Sequence, residues 1–211
     1  MKEYHKIQTV FKRDPDTKFK TLLVGEYSRP EFEYLANNEW VFTEKVDGMN
    51  IRVMFDGENI TFGGKTDRAN LPSNLVTHLN NHFMPRRKHF AEQFPDGVCF
   101  YGEGYGAGIQ KGGCYRSGQA FVLFDIKIGE WWLERPDVMP IAAAFAMEIV
   151  PIFKPGTLAD MVKWVHGGIT SSWGDFPAEG LVGRPACELF ARNGQRIITK
   201  LKTKDFHPAS S

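Results

Sequence analysis

The most informative part of the chain is the stretch Trp40-Val41-Phe42-Thr43-Glu44-Lys45-Val46-Asp47-Gly48-Met49-Asn50-Ile51-Arg52-Val53. An apolar run typical of a β-strand leads to Lys45, Asp47 follows two positions later, and a second strand-like run begins at Ile51. Gly48 permits a tight turn that a residue with a Cβ would resist. Lysine and aspartate two residues apart share a face where the backbone is extended. The pattern suits a constrained nucleophilic lysine, and it is also typical of an ordinary β-hairpin with a surface lysine.

A lysine amine attacks an electrophile only after it has lost a proton, and neighbouring cations or partial desolvation favour that neutral form. Candidate cations lie near the other end of the chain, where residues 196–202 alternate as they would in a strand. In a strand, Lys200 and Lys202 project from one face. Like charges side by side repel each other, so this pair either faces solvent or binds an anion.

Length and composition are those of an ordinary globular protein. The chain has 211 residues, of which 42% are hydrophobic and 24% charged, and its formal net charge is +1. This length suits a single domain over residues 1–211, and the low net charge means that any polyanion-binding surface is a local patch. The three cysteines form no C-x-x-C pair, and neither a membrane-spanning apolar run nor a signal-peptide core is present. These features predict a reduced, soluble, cytoplasmic protein without a structural zinc site.

Alternation and helical spacing predict a mixture of strands and helices. Beyond the strands around Lys45, the predicted strands are Ile60–Phe62, Val98–Tyr101, Ala120–Lys127, Trp131–Leu133, Val150–Phe153, residues 178–185 and residues 196–202. The predicted helices are Ser28–Asn38 with Ser28 as N-cap, Leu71–Gln93 with a break at Met84-Pro85, Val138–Glu148, and Thr157–His166 with Thr157 as N-cap. Together they predict an α+β fold of mainly antiparallel sheets flanked by helices.

Two further segments carry residues suited to nucleotide binding. The Gly63-Gly64-Lys65-Thr66-Asp67-Arg68 loop follows a strand, and such a loop either contacts a phosphate or is simply solvated. Gly102-Glu103-Gly104 ends another strand and superficially matches a dinucleotide fingerprint. We reject that interpretation because no periodic helix begins there and Glu103 would place a negative charge beside the pyrophosphate. Glu103 is better suited to accept a hydrogen bond from a sugar hydroxyl.

Four ring-bearing residues have alternative interpretations. Phe121 and Phe124 lie in a strongly apolar strand, where they are either core residues or, for one of them, a surface on which a base stacks. His78 and His82 are four residues apart on a predicted helix, which is the spacing of a metal clip. They have no acidic neighbour in the sequence, so a solvated helix face is the favoured interpretation.

Taken in order, these motifs resemble those of the covalent nucleotidyltransferase superfamily of ATP-dependent polynucleotide ligases and mRNA capping enzymes. The nearest resemblance is to the phage-type RNA ligases that seal nicks in double-stranded RNA, and it extends to about Phe206. Each motif alone is a weak signal, whereas all of them in family order form a specific one. The segments are Lys45-x-Asp47-Gly48-x-Asn50, the Gly63–Arg68 loop, Gly102-Glu103-Gly104, Phe121–Ile126, Glu179-Gly180-x-Val182 and Lys200-x-Lys202.

The resemblance implies an ATP-grasp-like nucleotidyltransferase domain of the ligase and capping-enzyme type. It also implies a three-step RNA ligase reaction of the kind used in RNA repair. Lys45 takes AMP from ATP, the AMP passes to a 5′-phosphate at a nick, and a 3′-hydroxyl then displaces it. The implied cofactors are ATP and Mg²⁺, with Mn²⁺ as an alternative. The implied partner is a nicked duplex of RNA, or one that contains RNA, with no membrane involved.

The resemblance also assigns roles to individual residues. Lys45, Asp47, Lys200 and Lys202 form the predicted catalytic set. The predicted nucleotide-binding residues are Glu44 and Phe121 at the base, Glu103 at the ribose, Lys65, Lys200 and Lys202 at phosphates, and also Asn50 and Glu179. Glu179 and Asp47 are the predicted metal ligands. Asn50 stands where DNA ligases and capping enzymes usually carry Arg, and asparagine there is a trait of RNA ligases.

Other readings of the same motifs remain open. A DNA ligase or a capping-type guanylyltransferase belongs to the same superfamily, although Asn50 argues against both. A non-catalytic nucleic-acid-binding relative is a further alternative, disfavoured because every expected catalytic position holds a competent side chain. The expected organisation is a monomeric adenylyltransferase domain with neither an OB-fold nor a helical C-terminal domain. Such a core would bind nicks weakly and work with an auxiliary RNA-binding partner, since phosphate contacts supply most nonspecific affinity.

Overall fold

The structure is a computed structural model that describes residues 3–206. The chain forms two compact units, each with its own sheet and apolar core. Unit 1 consists of Met1–His5 and Asp47–Val150, and unit 2 consists of Lys6–Val46 and Pro151–Ser211. The single domain expected over 1–211 includes residues outside the described range, and it stays a prediction.

The elements confirm a mixed α+β fold. The strands are β1 Gln8–Thr9, β2 Phe11–Arg13, β3 Leu22–Tyr27, β4 Trp40–Glu44, β5 Met49–Phe55, β6 Ile60–Gly63, β7 Val98–Gly106, β8 Gln119–Ile128, β9 Trp131–Trp132, β10 Ile152–Gly156, β11 Gly180–Pro185 and β12 Thr199–Lys202. The α-helices are α1 Pro30–Tyr34, α2 Ser73–Phe83, α3 Arg87–Gln93, α4 Arg135–Ala144 and α5 Leu158–Gly167. No helix among residues 3–206 has both the length and the apolar character to cross a membrane.

Unit 1 is built on an antiparallel sheet in the order β6-β5-β7-β8-β9. Alternate residues of β5, such as Ile51 and Val53, are fully buried in its apolar core. Helix α2 buries Leu75, Leu79 and Phe83 in the same core, and their spacing of four residues places them on one helix face. The apolar residues whose spacing predicted this helix therefore form the face that packs against the sheet.

Unit 2 contains a second sheet in the order β1-β12-β11-β4-β10, antiparallel except for the β1–β12 pair, and a separate β2–β3 pair. Its core receives Trp40 and Phe42 from β4 and one face of α5. Thr157 caps α5 as predicted: its hydroxyl accepts from the Asp160 backbone, while the Asp160 carboxylate accepts from the Thr157 backbone.

Two local predictions are wrong. Strands β4 and β5 lie in different sheets, so the segment around Lys45 is a crossover from unit 2 to unit 1 rather than a hairpin. Ser28 does not cap α1, because Arg29 occupies the N-cap position and the Ser28 hydroxyl donates to the Thr9 carbonyl.

Candidate active site

The ends of three neighbouring strands of unit 2 bring together residues that are far apart in the sequence. Lys45 follows the last residue of β4, Glu179 precedes the first residue of β11, and Lys202 is the last residue of β12. In the antiparallel register, Leu181 pairs with Glu44 and Gly180 pairs with Lys202. The Lys45 backbone N–H also donates to the Gly180 carbonyl at 2.9 Å. The three side chains therefore leave the same edge of the sheet.

These side chains form one ionic cluster. The Lys45 ammonium lies 2.5 Å from one carboxylate oxygen of Glu179, and the Lys202 ammonium lies 2.6 Å from the other. The side chains of Lys45, Glu179 and Lys202 are 20%, 12% and 22% exposed, so the cluster is reachable from solvent but mostly desolvated. Two cations share one anion, and the remaining positive charge makes this edge attractive to a phosphate.

Lys200 extends the positive charge along the strand. Burial alternates along β12, with Thr199 and Leu201 buried and with Lys200 and Lys202 half-buried. Both lysines thus lie on the face opposite the core, as the sequence predicts. Lys200 pairs across the sheet with Val182 of β11. An anion at Lys202 therefore lies on the strand face that also carries Lys200.

Glu44 is turned away from the edge that carries Lys45. Its side chain is buried, and both carboxylate oxygens accept hydrogen bonds within unit 2, from the Ser171 hydroxyl at 2.6 Å and from the Ser172 backbone N–H at 2.7 Å. The carboxylate thus holds the loop that precedes β11. The contact of Glu44 with the base, expected in part through its backbone, stays a prediction, and its carboxylate is engaged within unit 2.

Unit 1 carries a second set of predicted residues on β5 and β7. Asn50 and Glu103 are directly paired across these strands, so their side chains share one sheet face. Gly48 packs against the same strand: a Cβ there would lie 2.3 Å from the Gly104 carbonyl oxygen and 2.8 Å from Glu103 Cγ. The requirement for glycine at position 48 is therefore close packing against β7.

Phe121 is on the opposite face from Glu103. Glu103 pairs with Val122, whereas Phe121 pairs with Gly104 and packs edge-on against Phe83 inside the apolar core. Since neighbouring strand residues alternate between faces, the structure does not bring Phe121 and Glu103 together. The β7–β8 register shifts beside Tyr101, and Phe124 is the unpaired extra residue at that bulge.

Phe124 lies two residues from Val122 and is half-buried. It therefore belongs to the Glu103 face, where its ring meets Tyr4 at a centroid distance of 5.0 Å. Of the two phenylalanines considered in the sequence, Phe124 is thus better placed than Phe121 to stack on a base beside Glu103.

The loop that carries Lys65 is held by a buried arginine that sequence reasoning did not assign. The Arg52 side chain is fully buried and donates to the Gly64 carbonyl at 2.9 Å and to the Asp67 carboxylate at 2.6 Å. The hydrogen bond from Arg52 lowers the pKa of Asp67. Lys65 itself is exposed. The loop is thus fixed at both sides of an exposed cation.

Asp47 begins the second segment of unit 1 and is half-buried. Its backbone N–H donates to the hydroxyl of Tyr115 at 3.1 Å. Tyr115 lies in the loop between β7 and β8, 68 residues away, and the sequence contained no signal for this contact.

Residues 38–202 match the family model described as RNA ligase. The chain belongs to the RNA ligase family. A search of curated proteins by sequence returned no match. The family assignment agrees with the resemblance found in the motifs.

Solved structures of Naegleria gruberi RNA ligase resemble this family member in fold. A mutant with ATP and Mn gives a TM-score of 0.68 at 17% identity, covering 96% of this chain and 56% of the other. A second mutant with ATP and Mn gives 0.65 at 18% identity, over 96% and 59%. A ligand-free mutant gives 0.67 at 16% identity, over 98% and 59%. The present chain thus spans less than three fifths of the length of these ligase chains.

In this RNA ligase family member, the two helix histidines are not on a solvated face. His78 and His82 are half-buried beside a cavity of about 130 Å³ that Arg116 and Glu148 also line, and burial lowers the pKa of both histidines. His82 Nε2 lies 3.0 Å from the Phe145 carbonyl oxygen. Among residues 3–206, no group of three or more His, Cys, Asp or Glu side chains is arranged to hold a metal ion.

Proposed function

We propose that this chain is the nucleotidyltransferase part of an ATP-dependent RNA ligase, which joins 3′-hydroxyl and 5′-phosphate ends through a lysine-bound AMP. The observation that carries the proposal is the ionic cluster of Lys45, Glu179 and Lys202 at one sheet edge. Membership of the RNA ligase family supports it. The fold shared with Naegleria gruberi RNA ligase, solved with ATP and Mn, is consistent with ATP as the nucleotide.

In the first step, Lys45 Nζ bonds to the α-phosphorus of ATP. The bond from that phosphorus to the bridging oxygen of the β-phosphate breaks, and pyrophosphate leaves with the electron pair. The Lys45 ammonium must first give up a proton, and the Glu179 oxygen at 2.5 Å is placed to accept it. A second proton leaves the nitrogen after the new bond has formed. Glu179 thus both orients the amine and removes its proton.

The remaining lysines stabilise charge on the phosphates. Phosphoryl transfer depends mainly on positioning and on charge stabilisation by fixed cations. Lys202 is fixed by Glu179, and Lys200 lies on the same strand face. The Lys202 ammonium is therefore held in place before a nucleotide arrives, and Lys200 adds a positive charge on the same strand face.

The family resemblance gives the roles at the ribose, the base and the RNA ends to other residues. Glu103 accepts from the ribose hydroxyl, and Phe124 replaces Phe121 as the ring that stacks on the base, because Phe124 shares a sheet face with Glu103. Asn50, paired with Glu103, positions the ends to be joined. Lys65 contacts a phosphate from the loop fixed by Arg52. These roles combine the family resemblance with the pairing of strands β5, β7 and β8.

The donor set fits a hydrated divalent cation. Mg²⁺ usually keeps several waters and needs only one or two protein carboxylates beside the substrate phosphates. Both oxygens of Glu179 contact lysines, yet each retains acceptor capacity for a metal-bound water. Glu179 and Asp47 are the residues that would hold such an ion. When bound, Mg²⁺ or Mn²⁺ adds positive charge beside the phosphates.

The proposed substrate is a nick in a duplex that contains RNA, in the manner of phage-type repair ligases. The net charge of +1 provides no global field for a polyanion, so binding depends on local cations such as Lys65 and Lys200. We accordingly propose that a monomer engages nicks weakly and that an auxiliary RNA-binding partner strengthens the contact. Gel shifts at low salt with the isolated chain test this, and tight nick binding would contradict it.

Self-labelling by nucleotide tests the central proposal. The chain is incubated with α-labelled ATP and Mg²⁺, and an acid-labile label should appear on the wild-type protein. Lys45→Arg keeps the positive charge beside Glu179 but removes the nucleophilic amine, so it should take no label. Lys163→Ala, a change at an exposed lysine on α5, serves as the matched control and should label normally. Full labelling of Lys45→Arg would refute the assignment of the nucleophile.

The same labelling assay identifies the nucleotide, and a sealing assay identifies the substrate. Labelled GTP in place of ATP separates a ligase from a capping-type enzyme. Nicked RNA:RNA, RNA:DNA and DNA:DNA duplexes, offered in parallel, define the strands that are joined. Sealing of the DNA:DNA nick alone would overturn the proposal of an RNA ligase.

A further inference from the structure

The segment that follows Lys45 has a backbone amide outside any strand. Residues 45–48 lie between β4 and β5, so the N–H of Asp47 has no partner in a β-ladder. Its acceptor is the hydroxyl oxygen of Tyr115, at 3.1 Å. A single side-chain oxygen thus fixes the peptide two residues beyond the proposed nucleophile.

Tyr115 is itself held in place by its surroundings. Its ring meets that of Tyr105 edge-on, with a centroid distance of 5.8 Å and an interplanar angle of 80°. Tyr105 is 2% exposed, and its hydroxyl donates to the Glu148 carboxylate at 2.9 Å. The Tyr115 backbone N–H donates to the Gly112 carbonyl at 3.0 Å. The hydroxyl that meets Asp47 therefore has a fixed position.

The loop is packed closely enough to keep that position. A Cβ at Gly112 would lie 2.5 Å from the Gly106 carbonyl oxygen, so the turn before Tyr115 sits directly on the end of β7. On the other side, Gly48 sits directly on the Gly104 carbonyl. Both partners of the Asp47–Tyr115 hydrogen bond are therefore anchored to the same strand. The bond fixes the first residue of the second segment of unit 1, two residues after Lys45.

We propose that Tyr115 is a positioning residue for the reaction of Lys45, an inference that rests on the proposed function. Its hydroxyl orients the Asp47 peptide and, through the chain, limits the conformations open to the Lys45–Asp47 connection. Nucleophilic attack requires alignment of the amine with the α-phosphorus, whereas ATP binding does not. Tyr115 therefore acts on the rate of transfer rather than on the affinity for ATP.

The test compares two tyrosines of the same ring pair. Tyr115→Phe removes the acceptor of the Asp47 N–H and keeps the ring. Tyr105→Phe removes a hydroxyl from the same pair without touching Asp47, and it is the matched control. Single-turnover labelling is measured over a range of ATP concentrations. Tyr115→Phe should lower the maximal rate about 10-fold and leave the half-saturating ATP concentration within about 2-fold, since the Asp47 N–H loses its acceptor.

Two further measurements separate this role from a loss of folding. Hydrogen exchange at the Asp47 amide, followed by NMR, should be faster in Tyr115→Phe and unchanged in Tyr105→Phe. Thermal unfolding midpoints of both variants should remain close to that of the wild type. The proposal is overturned if both variants slow labelling equally, if only the half-saturating concentration changes, or if Asp47 exchange is unaffected. A wild-type chain that takes no label refutes the proposed function instead, while the Asp47 exchange still reports the contact.

Discussion

Replacement of Gly48 by alanine tests how the chain is packed where the second segment of unit 1 begins. An added Cβ would lie 2.3 Å from the Gly104 carbonyl oxygen and 2.8 Å from Glu103 Cγ. The closest obstructing atom belongs to the backbone of β7, which cannot rotate aside as a side chain can. Either the segment that contains Gly48 moves away from β7 or the strand bends.

The size of the effect follows from these distances. Nonbonded heavy atoms rest at roughly 3.5 Å, so relief of the 2.3 Å contact requires a shift of about 1 Å. Overpacking of this kind costs about 2 kcal/mol, which lowers the unfolding midpoint by about 4–8 °C in a chain of this length. A displacement of about 1 Å near reacting groups reduces the rate about 100-fold. The loss of labelling activity should thus exceed what the loss of folded protein explains.

Gly113→Ala is the matched control, because a Cβ at Gly113 meets no atom within 4 Å and its backbone is not left-handed. Its free energy of unfolding should change by less than about 0.5 kcal/mol. The assays are thermal unfolding and label transfer from α-labelled ATP at a temperature where both variants are folded. A Gly48→Ala protein with wild-type midpoint and wild-type labelling would refute the packing argument. Equal losses in the two variants would also refute it.

Three more predictions follow from the described contacts. Glu179→Gln removes the anion shared by two lysines and should slow labelling about 100-fold, as measured by initial rates; a change under about 2-fold would contradict its role. Burial raises the pKa of the Cys99 thiol to about 11, so a thiol reagent at pH 8 should modify only the other two, exposed cysteines until the chain is unfolded. Burial lowers the pKa of His78 and His82, so these groups stabilise the folded state above about pH 6.5 and less as pH falls below it. The unfolding midpoint should therefore drop from pH 7 to pH 5, and His82→Gln should reduce that drop.

Much of the fold could be predicted because local patterns and final environments agree. The apolar run before Lys45 predicted the strand that ends at Glu44, and Thr157 as a cap predicted where α5 begins. The same patterns could not show that β4 and β5 separate into two sheets. A strand, a glycine and a second strand describe a hairpin and a crossover equally well. The choice between them depends on which distant strands pair with each.

The candidate site was predicted where chemistry determines the residue type. Lys45, Glu179 and Lys202 were named from the sequence, and the structure brings them within hydrogen-bonding distance. The face on which Phe121 lies could not be predicted, because β8 carries buried apolar residues on both of its faces. The partners of the Glu44 carboxylate lie 127 and 128 residues away, beyond the reach of any local pattern.

The shared carboxylate explains why the two lysines must be considered together. Each Glu179 oxygen is occupied by one ammonium group, so Lys202 limits how strongly Glu179 can hold Lys45. Loss of Lys202 would leave the whole carboxylate to Lys45, so a change at one lysine alters the ion pair of the other. The effects of changes at Lys45, Glu179 and Lys202 on labelling are therefore not additive. The two lysines and the carboxylate at this sheet edge act as one cluster.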